Sequence, residues 1–246
     1  MKMKKLTIYS PRAIKSEKSH ARLDHQSRII KAKKIVVVLK EHANLKNASL
    51  LDIGTGSGHV IQQIAKHCKR ATSVDLHDER LIKKGYRFKK VSDEHLPFED
   101  NSFDVAISNH VLEHVPNQQL HLDEIHRVLK KGGIFYLATP NRWWYKDPHY
   151  KLPFITWLPR SIASILFKAL KNKDWDIFSL SYHTIKKRTH KQFQLHNKTI
   201  DILKNPKKYH LDTLPKIQPM LAAMPRPIMN MLTPLLPTFI LILKKR

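Results

Sequence analysis

Apolar and polar positions follow two rhythms along the first 141 residues. Ser49–Ile53, Ala71–Leu76, Phe103–Asn109 and Ile134–Pro140 are short apolar runs of strand length, and Tyr86–Ser92 is a further short strand. Arg28–His42 and Gly58–Cys68 place apolar residues at helical spacing, and Gln118–Lys130 reads as an amphipathic helix stopped by Gly132-Gly133. Strands alternating with helices predict an α/β domain with a mostly parallel sheet.

Beyond Asn141 the rhythm changes. Arg142–Arg160 is crowded with Trp, Tyr, Pro and His and reads as a loop or lid, followed by an apolar helix at Ser161–Asn172. Phe193–Leu203 is expected to supply a sixth strand and Thr238–Lys245 a final one, while prolines between Leu214 and Pro237 leave room only for short helical pieces. These shifts divide the chain into a basic arm (1–27), a core (28–141), an aromatic and helical lid insertion (142–190) and a C-terminal part completing the core (191–246).

Charge sharpens this division. Residues 1–50 hold 13 Lys and Arg against 3 Asp and Glu, residues 51–150 hold 14 against 13, and residues 151–246 hold 18 against 4. A near-neutral middle between basic flanks implies either an anionic partner or a generally basic, solvated surface. The lone Cys68 excludes an internal disulfide framework. No apolar segment follows the basic start and no run of about 18 apolar residues occurs, so neither a signal peptide nor a membrane span is expected. The expectation is a cytoplasmic protein.

Leu50–Gly58, "LLDIGTGSG", turns sharply out of a buried strand. A phosphate-binding P-loop needs Lys-Ser/Thr after its last glycine, and here His59-Val60 follows. The dinucleotide fingerprint needs a sixth-place glycine, and that place is His59. What remains is close backbone approach, with Asp75 placed 21 residues after Gly54 at a strand end, suited to the two hydroxyls of a ribose.

With "SVDL" (Ser73–Leu76), "SDEHLPFEDNSFDVAISNHVLEHV" (Ser92–Val115) and "EIHRVLKKGGIFYLATPN" (Glu124–Asn141), this loop resembles class I S-adenosylmethionine (SAM)-dependent methyltransferases. The branch is the one called methyltransferase type 11, which includes methylases of quinones, lipids and sugars. The resemblance covers about Ser49–Asn141, with weaker likeness near the end of the chain. It implies a Rossmann-like, doubly wound, mostly parallel seven-stranded sheet with a helical insertion after strand five. SAM is the implied cofactor. Asp52, Gly54, Thr55, Gly56 and Gly58 are implied around its methionine part, Asp75 on its ribose and Leu76 beside the adenine. Ser92, Asp93 and Glu94 are implied along the adenine edge, with Asp93 replacing by a one-residue shift the acid that many relatives have at the Ser92 place. Asn109 and His110 end strand four under the methyl-donor end.

His114, next to Glu113, is a candidate general base, or the pair caps the following turn. His149 and Tyr150 are second candidates, or belong to a structural aromatic cluster with Trp143, Trp144 and Tyr145. Some quinone-directed relatives carry a similar Leu-Glu-His and use a metal there. No complete ligand set is visible here, and no metal is expected. The expected enzyme methylates a small-molecule, lipid or saccharide acceptor. The alternatives are an RNA methyltransferase using the basic flanks and a non-catalytic SAM-binding or membrane-surface protein. Position 108–111 reads "SNHV" and lacks the Asn/Asp-Pro-Pro-aromatic motif of amino-directed nucleic-acid methylases. Large apolar residues beside Lys168 and Lys171 also raise peripheral contact with an anionic inner membrane surface.

Overall fold

The computed structural model describes residues 25–211 and 218–246, so most of the arm expected at 1–27 lies outside the described residues. The sheet is built from β1 (Ser49–Ile53), β2 (Arg70–Asp75), β3 (Arg87–Lys90), β4 (Phe103–Asn109), β5 (Leu129–Pro140), β6 (Phe193–Asn197) and β7 (Thr238–Lys245). The helices among the described residues are α1 (His25–Lys40), α2 (His59–Ala65), α3 (Gln118–Val128), α4 (Arg160–Lys171), α5 (Tyr182–Thr189), α6 (Thr199–Lys204), α7 (Gln218–Ala223) and α8 (Arg226–Leu232).

Strand order is β3-β2-β1-β4-β5-β7-β6, all parallel except β7, which runs antiparallel to both neighbours. This is the expected doubly wound sheet. Its central strands are apolar on both faces because helices cover both faces. Leu50, Val105, Ile107, Tyr136 and Ile242 pack with Ile35 and Leu39 of α1, while the alternate residues Leu51, Ala106, Phe135 and Leu241 pack with Leu122 and Ile125 of α3. Each such buried aliphatic contributes about 1.5–3 kcal/mol. The exposed edge, β3, is short and basic (Arg87, Lys89, Lys90), which discourages pairing with another chain. A third, smaller cluster holds the insertion together: Ile155, Ala163, Phe167, Trp175 and Ile177.

Two expected elements end differently. Gly132-Gly133 does not stop a helix; α3 ends at Val128, and the glycine pair lies inside β5 where its register on β4 shifts between Phe103 and Val105. Pairing of Leu129 with Phe103 outweighs the local glycine signal. The sixth strand stops at Asn197, whose Oδ1 accepts the Thr199 N–H at 3.0 Å and turns the chain into α6. An ion-pair network then ties α6 to α1, with Lys198 2.6 Å from Glu41 and 2.7 Å from Asp201.

Candidate active site

Strand order reverses between β1 and β4, so their carboxyl ends open a crevice, the usual ligand position in such sheets. The loop after β1 lies on one side, and Asn109 and His110 end β4 on the other.

The loop is built from backbone. Gly54, Gly56 and Gly58 all adopt left-handed φ values of 83°, 51° and 81°. At Gly58 a Cβ would lie 2.3 Å from the Ile82 carbonyl oxygen and the Tyr86 hydroxyl, so that position has no room for a side chain. The segment responsible is pinned there: the Leu81 and Ile82 N–H groups donate to the Ser57 carbonyl at 3.0 and 3.1 Å. Gly56 differs, since a Cβ there would meet no protein atom within 4 Å. A Cβ at Gly54 would lie 2.3 Å from the Val111 side chain, so of the loop's three glycines only Gly56 faces open space, as close passage of a ligand requires.

Asp75, at the end of β2, reaches back to this loop and accepts the Gly56 N–H at 2.9 Å, with Leu76 half-buried beside it. Thr55 is buried, and its hydroxyl donates to the Val74 carbonyl at 3.2 Å, which makes it a brace of the turn. Asp52 is buried at the end of β1; burial first, and the neighbouring Asp75 second, push its carboxyl up to about 8. Two acids held this close suit a ligand carrying positive charge. Ser92, Asp93 and Glu94 form the turn after β3. Asp93 accepts the His95 N–H at 2.8 Å and Glu94 accepts the Asn117 N–H at 3.4 Å, so both carboxylates help shape the turn beside the crevice.

Across the crevice the site is built from side chains. Glu113, in a short 3-10 turn over Leu112–His114, is fully buried. Its Oε2 accepts the Thr139 hydroxyl at 3.1 Å, and its Oε1 lies 3.3 Å from His110 Nδ1 and 3.7 Å from His149 Nε2. Burial would raise this carboxyl, but His110, His149 and the nearby His114 outweigh it and hold the group well below the usual carboxylate range. His114 and His149 meet edge to face with ring centroids 4.6 Å apart. The fold thus brings together two candidates that lie 35 residues apart in the chain. It also supplies what the sequence does not display: the ligand atoms of Glu113, His114 and His149 lie within 4.8 Å of one another, a three-residue group with the composition to hold a metal ion.

The insertion is fastened to this cluster. Phe178 N–H donates to the Glu113 carbonyl at 2.7 Å, and the Gln118 amide bridges the Leu112 and Phe178 carbonyls. Asp147 is buried and positions His149 and Tyr150 by accepting their N–H groups at 3.0 and 2.5 Å. Tyr150 points away from Glu113, donating its hydroxyl to Asp176 at 2.8 Å and packing on Phe167 and Trp175. Of the pair His149–Tyr150, the histidine faces the site and the tyrosine joins the structural cluster. Sequence reasoning passed over Thr139, Asp147 and Phe178; only Asp147 carries a local signal, the Asp-Pro of "KDPHY", which favours a turn.

Residues 51–137 match the methyltransferase domain of type 11. The chain is 37% identical over 101 residues to the sterol 4-C-methyltransferase of Caenorhabditis elegans, covering 37% of this chain and 30% of that one. It is 36% identical over 99 residues to the ubiquinone/menaquinone biosynthesis C-methyltransferase UbiE of Brucella abortus, covering 35% of this chain and 37% of that one. The matched stretch thus spans about a third of the length of these relatives. The fold as a whole is similar to that of a crystal structure of a SAM-dependent methyltransferase from Mesorhizobium loti, with a TM-score of 0.57 at 14% identity over 88% of this chain and 99% of that one. The left-handed glycine loop, the acid bonded to it and the β3-β2-β1-β4-β5-β7-β6 sheet accord with these similarities, and residues 51–137, about a third of the chain, are similar to the methyltransferase domain of type 11.

Proposed function

We propose that this chain transfers the methyl group of SAM to a small or lipid-linked, largely apolar acceptor. The observation that carries the reading is the juxtaposition of a bare-backbone loop backed by Asp75 with a buried carboxylate and histidines held by an aromatic insertion. SAM, when bound, supplies a methyl group already activated on a positively charged sulfur. The Gly56 backbone and Asp75 would hold it, and Asp52 and Asp75 would favour its positive charge.

The chain's own contribution on the other side is alignment and proton removal. His149 Nε2 is buried without a hydrogen bond, 3.7 Å from Glu113 Oε1. The imidazole takes on its other nitrogen, Nδ1, the proton that an acceptor hydroxyl or activated carbon gives up as the methyl arrives, and the Glu113 anion beside Nε2 pairs with the resulting imidazolium. His110 holds Glu113 from its other side. His114 packs on the His149 ring and fixes its position. The relatives named above are a sterol methyltransferase and a quinone-biosynthesis methyltransferase, and the exposed Trp143, Tyr145, Phe154 and Trp157 of the insertion suit an apolar acceptor.

The test is incubation with methyl-labelled SAM and fractionated cell extract. Label is expected in the fraction soluble in organic solvent. Label entering RNA instead would refute the acceptor class, and no transfer into any fraction together with no SAM binding would refute the activity.

A further inference from the structure

Eight of the thirteen exposed large apolar side chains among the described residues fall between Trp143 and Leu170, which makes this insertion the apolar face of the molecule. Helix α4 shows why this face is not explained by folding. Ala163 and Phe167 are its buried side chains, packing with Ile155, Trp175 and Ile177, and Arg160 at its start donates to the Trp175 and Ile177 carbonyls at 3.0 Å. A second stripe, Ile162, Ile165, Leu166 and Leu170, is 51%, 73%, 41% and 57% exposed. At 100° per residue these four cover an arc of about 140° beside the buried stripe. A surface helix needs one apolar stripe to hold it to its domain, and this one carries two.

The aromatic loop leading into α4 continues the face. Trp143 and Phe154 both stack edge-on against Trp157, with ring centroids 6.3 and 4.9 Å apart. Phe154 is half exposed and adopts φ 57°, a left-handed conformation costly for a bulky residue, so the backbone is strained where it presents this ring to solvent. Asn141, at the root of the insertion, donates to the Pro234 and Leu236 carbonyls and thereby brings the exposed Leu235 to the same end of the molecule.

Charge selects the occupant. The insertion, residues 142–190, holds ten Lys and Arg against three acids: Asp147 is buried, Asp174 pairs with Lys168 and Asp176 accepts the Tyr150 hydroxyl. A second copy of the chain would bring the same basic surface and an overall charge of +25 against itself, and like-charge contact opposes such pairing. Nucleic acid would use the Lys and Arg but has no partner for Ile165 and Leu166. An anionic bilayer uses all three components: aliphatic side chains enter the acyl boundary, Trp and Tyr sit at headgroup level, and Lys and Arg meet the acidic headgroups. At 12 residues α4 is about 18 Å long, too short to span, and no helix among the described residues is long and apolar enough to cross a membrane.

We infer that the Trp143–Leu170 part of the insertion is a peripheral docking surface for anionic lipid bilayers, with α4 lying in the plane of the interface. Because His149, from the same insertion, packs beside Glu113, docking places the acceptor side of the site against the lipid. That last consequence rests on the proposed methyl transfer; the docking itself does not.

The experiment is co-sedimentation of the full chain with vesicles of phosphatidylcholine alone and of phosphatidylcholine mixed with phosphatidylglycerol. Wild type is expected to pellet with the mixed vesicles. Ile165→Ser with Leu166→Ser should reduce that binding about tenfold or more, as two exposed aliphatics lose their burial in lipid. Both residues are exposed, so thermal melting and SAM affinity of this double variant should match wild type, which separates a failure of docking from a failure of the methyltransferase reading. Lys168→Gln with Lys171→Gln should weaken binding to the mixed vesicles and leave the neutral ones unaffected. Wild type remaining in the supernatant with mixed vesicles would overturn the inference. So would a double serine variant that binds like wild type, or displacement by RNA in both proteins alike.

Discussion

The two sides of the crevice are made from different materials. In the proposed reaction the donor side is backbone: three left-handed glycines, a pinned carbonyl at Ser57 and one acid bonded to a main-chain N–H. The acceptor side is side chains: a buried glutamate, three histidines and an insertion of aromatic and aliphatic residues. A main-chain cradle tolerates little variation, because its shape depends on φ values and on missing Cβ atoms. A side-chain wall can be rebuilt one residue at a time without disturbing the sheet. A common cofactor belongs on the first kind of surface and a particular acceptor on the second, and the local charge follows the same split, near neutral around the donor loop and basic around the insertion.

The largest effect should come from Gly58→Val, which forces a side chain against the Ile82 carbonyl at a left-handed position. Strain and overpacking together should cost about 3–5 kcal/mol in denaturant melts. Gly56→Ala sharpens the contrast: with no protein atom near its Cβ it should cost only about 1–2 kcal/mol of stability, yet calorimetric SAM affinity should fall steeply. An alanine variant binding SAM like wild type would show that the cofactor does not pass over bare backbone there.

On the opposite wall, Glu113→Gln should lower methyl transfer about 100-fold while SAM affinity holds. Parallel losses in both would mean the two sides are not separable. Asp75→Ala should do the reverse, weakening SAM by about 1.5–3 kcal/mol through lost hydrogen bonds to a charged group, with the melting curve little changed.

The subtlest effect is a proton. Asp52 sits at about 8 in the fold, raised by burial and then by Asp75, against about 4 in the unfolded chain. A carboxyl raised in this way adds stability that is complete below the unfolded value and lost as pH rises through the folded one. The melting temperature of the cofactor-free protein should therefore decline between those limits, and Asp52→Asn should flatten the decline. SAM, being positively charged, favours the carboxylate, so its binding near neutral pH should release part of a proton. Calorimetry in two buffers of different ionisation enthalpy reads that release directly, and equal apparent enthalpies would rule it out.

The donor half was far more legible in the sequence than the acceptor half, for a physical reason. Glycine spacing, an acid at a strand end and apolar runs such as Phe103–Asn109 are local features, and each dictates its own backbone. The Glu113 cluster is assembled from four stretches, through Thr139, His149 and Phe178, by contacts spanning 26, 36 and 65 residues of chain, and no local pattern encodes such meetings. Two local misreadings have local causes as well. Ile200 and Ile202 alternate like strand residues, yet a run so short fits either period, and Asn197 decides for the helix. Helix α5 escaped notice because its body is polar, although Ser181 announces it by accepting the Thr184 N–H at 3.2 Å.

The position of β7 sets an order of events. It is the last strand in the chain, yet it lies between β5 and β6, and β6 has no other partner in the sheet. As the chain emerges from the ribosome, β1 to β5 can assemble their parallel core while β6 and the exposed flank of β5 wait for Thr238–Lys245 to arrive. The glycine loop and Asp75 are likewise synthesised before the Thr233–Leu235 turn that braces the root of the insertion through Asn141. On the proposed methyl transfer, the place for the methyl donor can thus be built before the acceptor wall has its last brace.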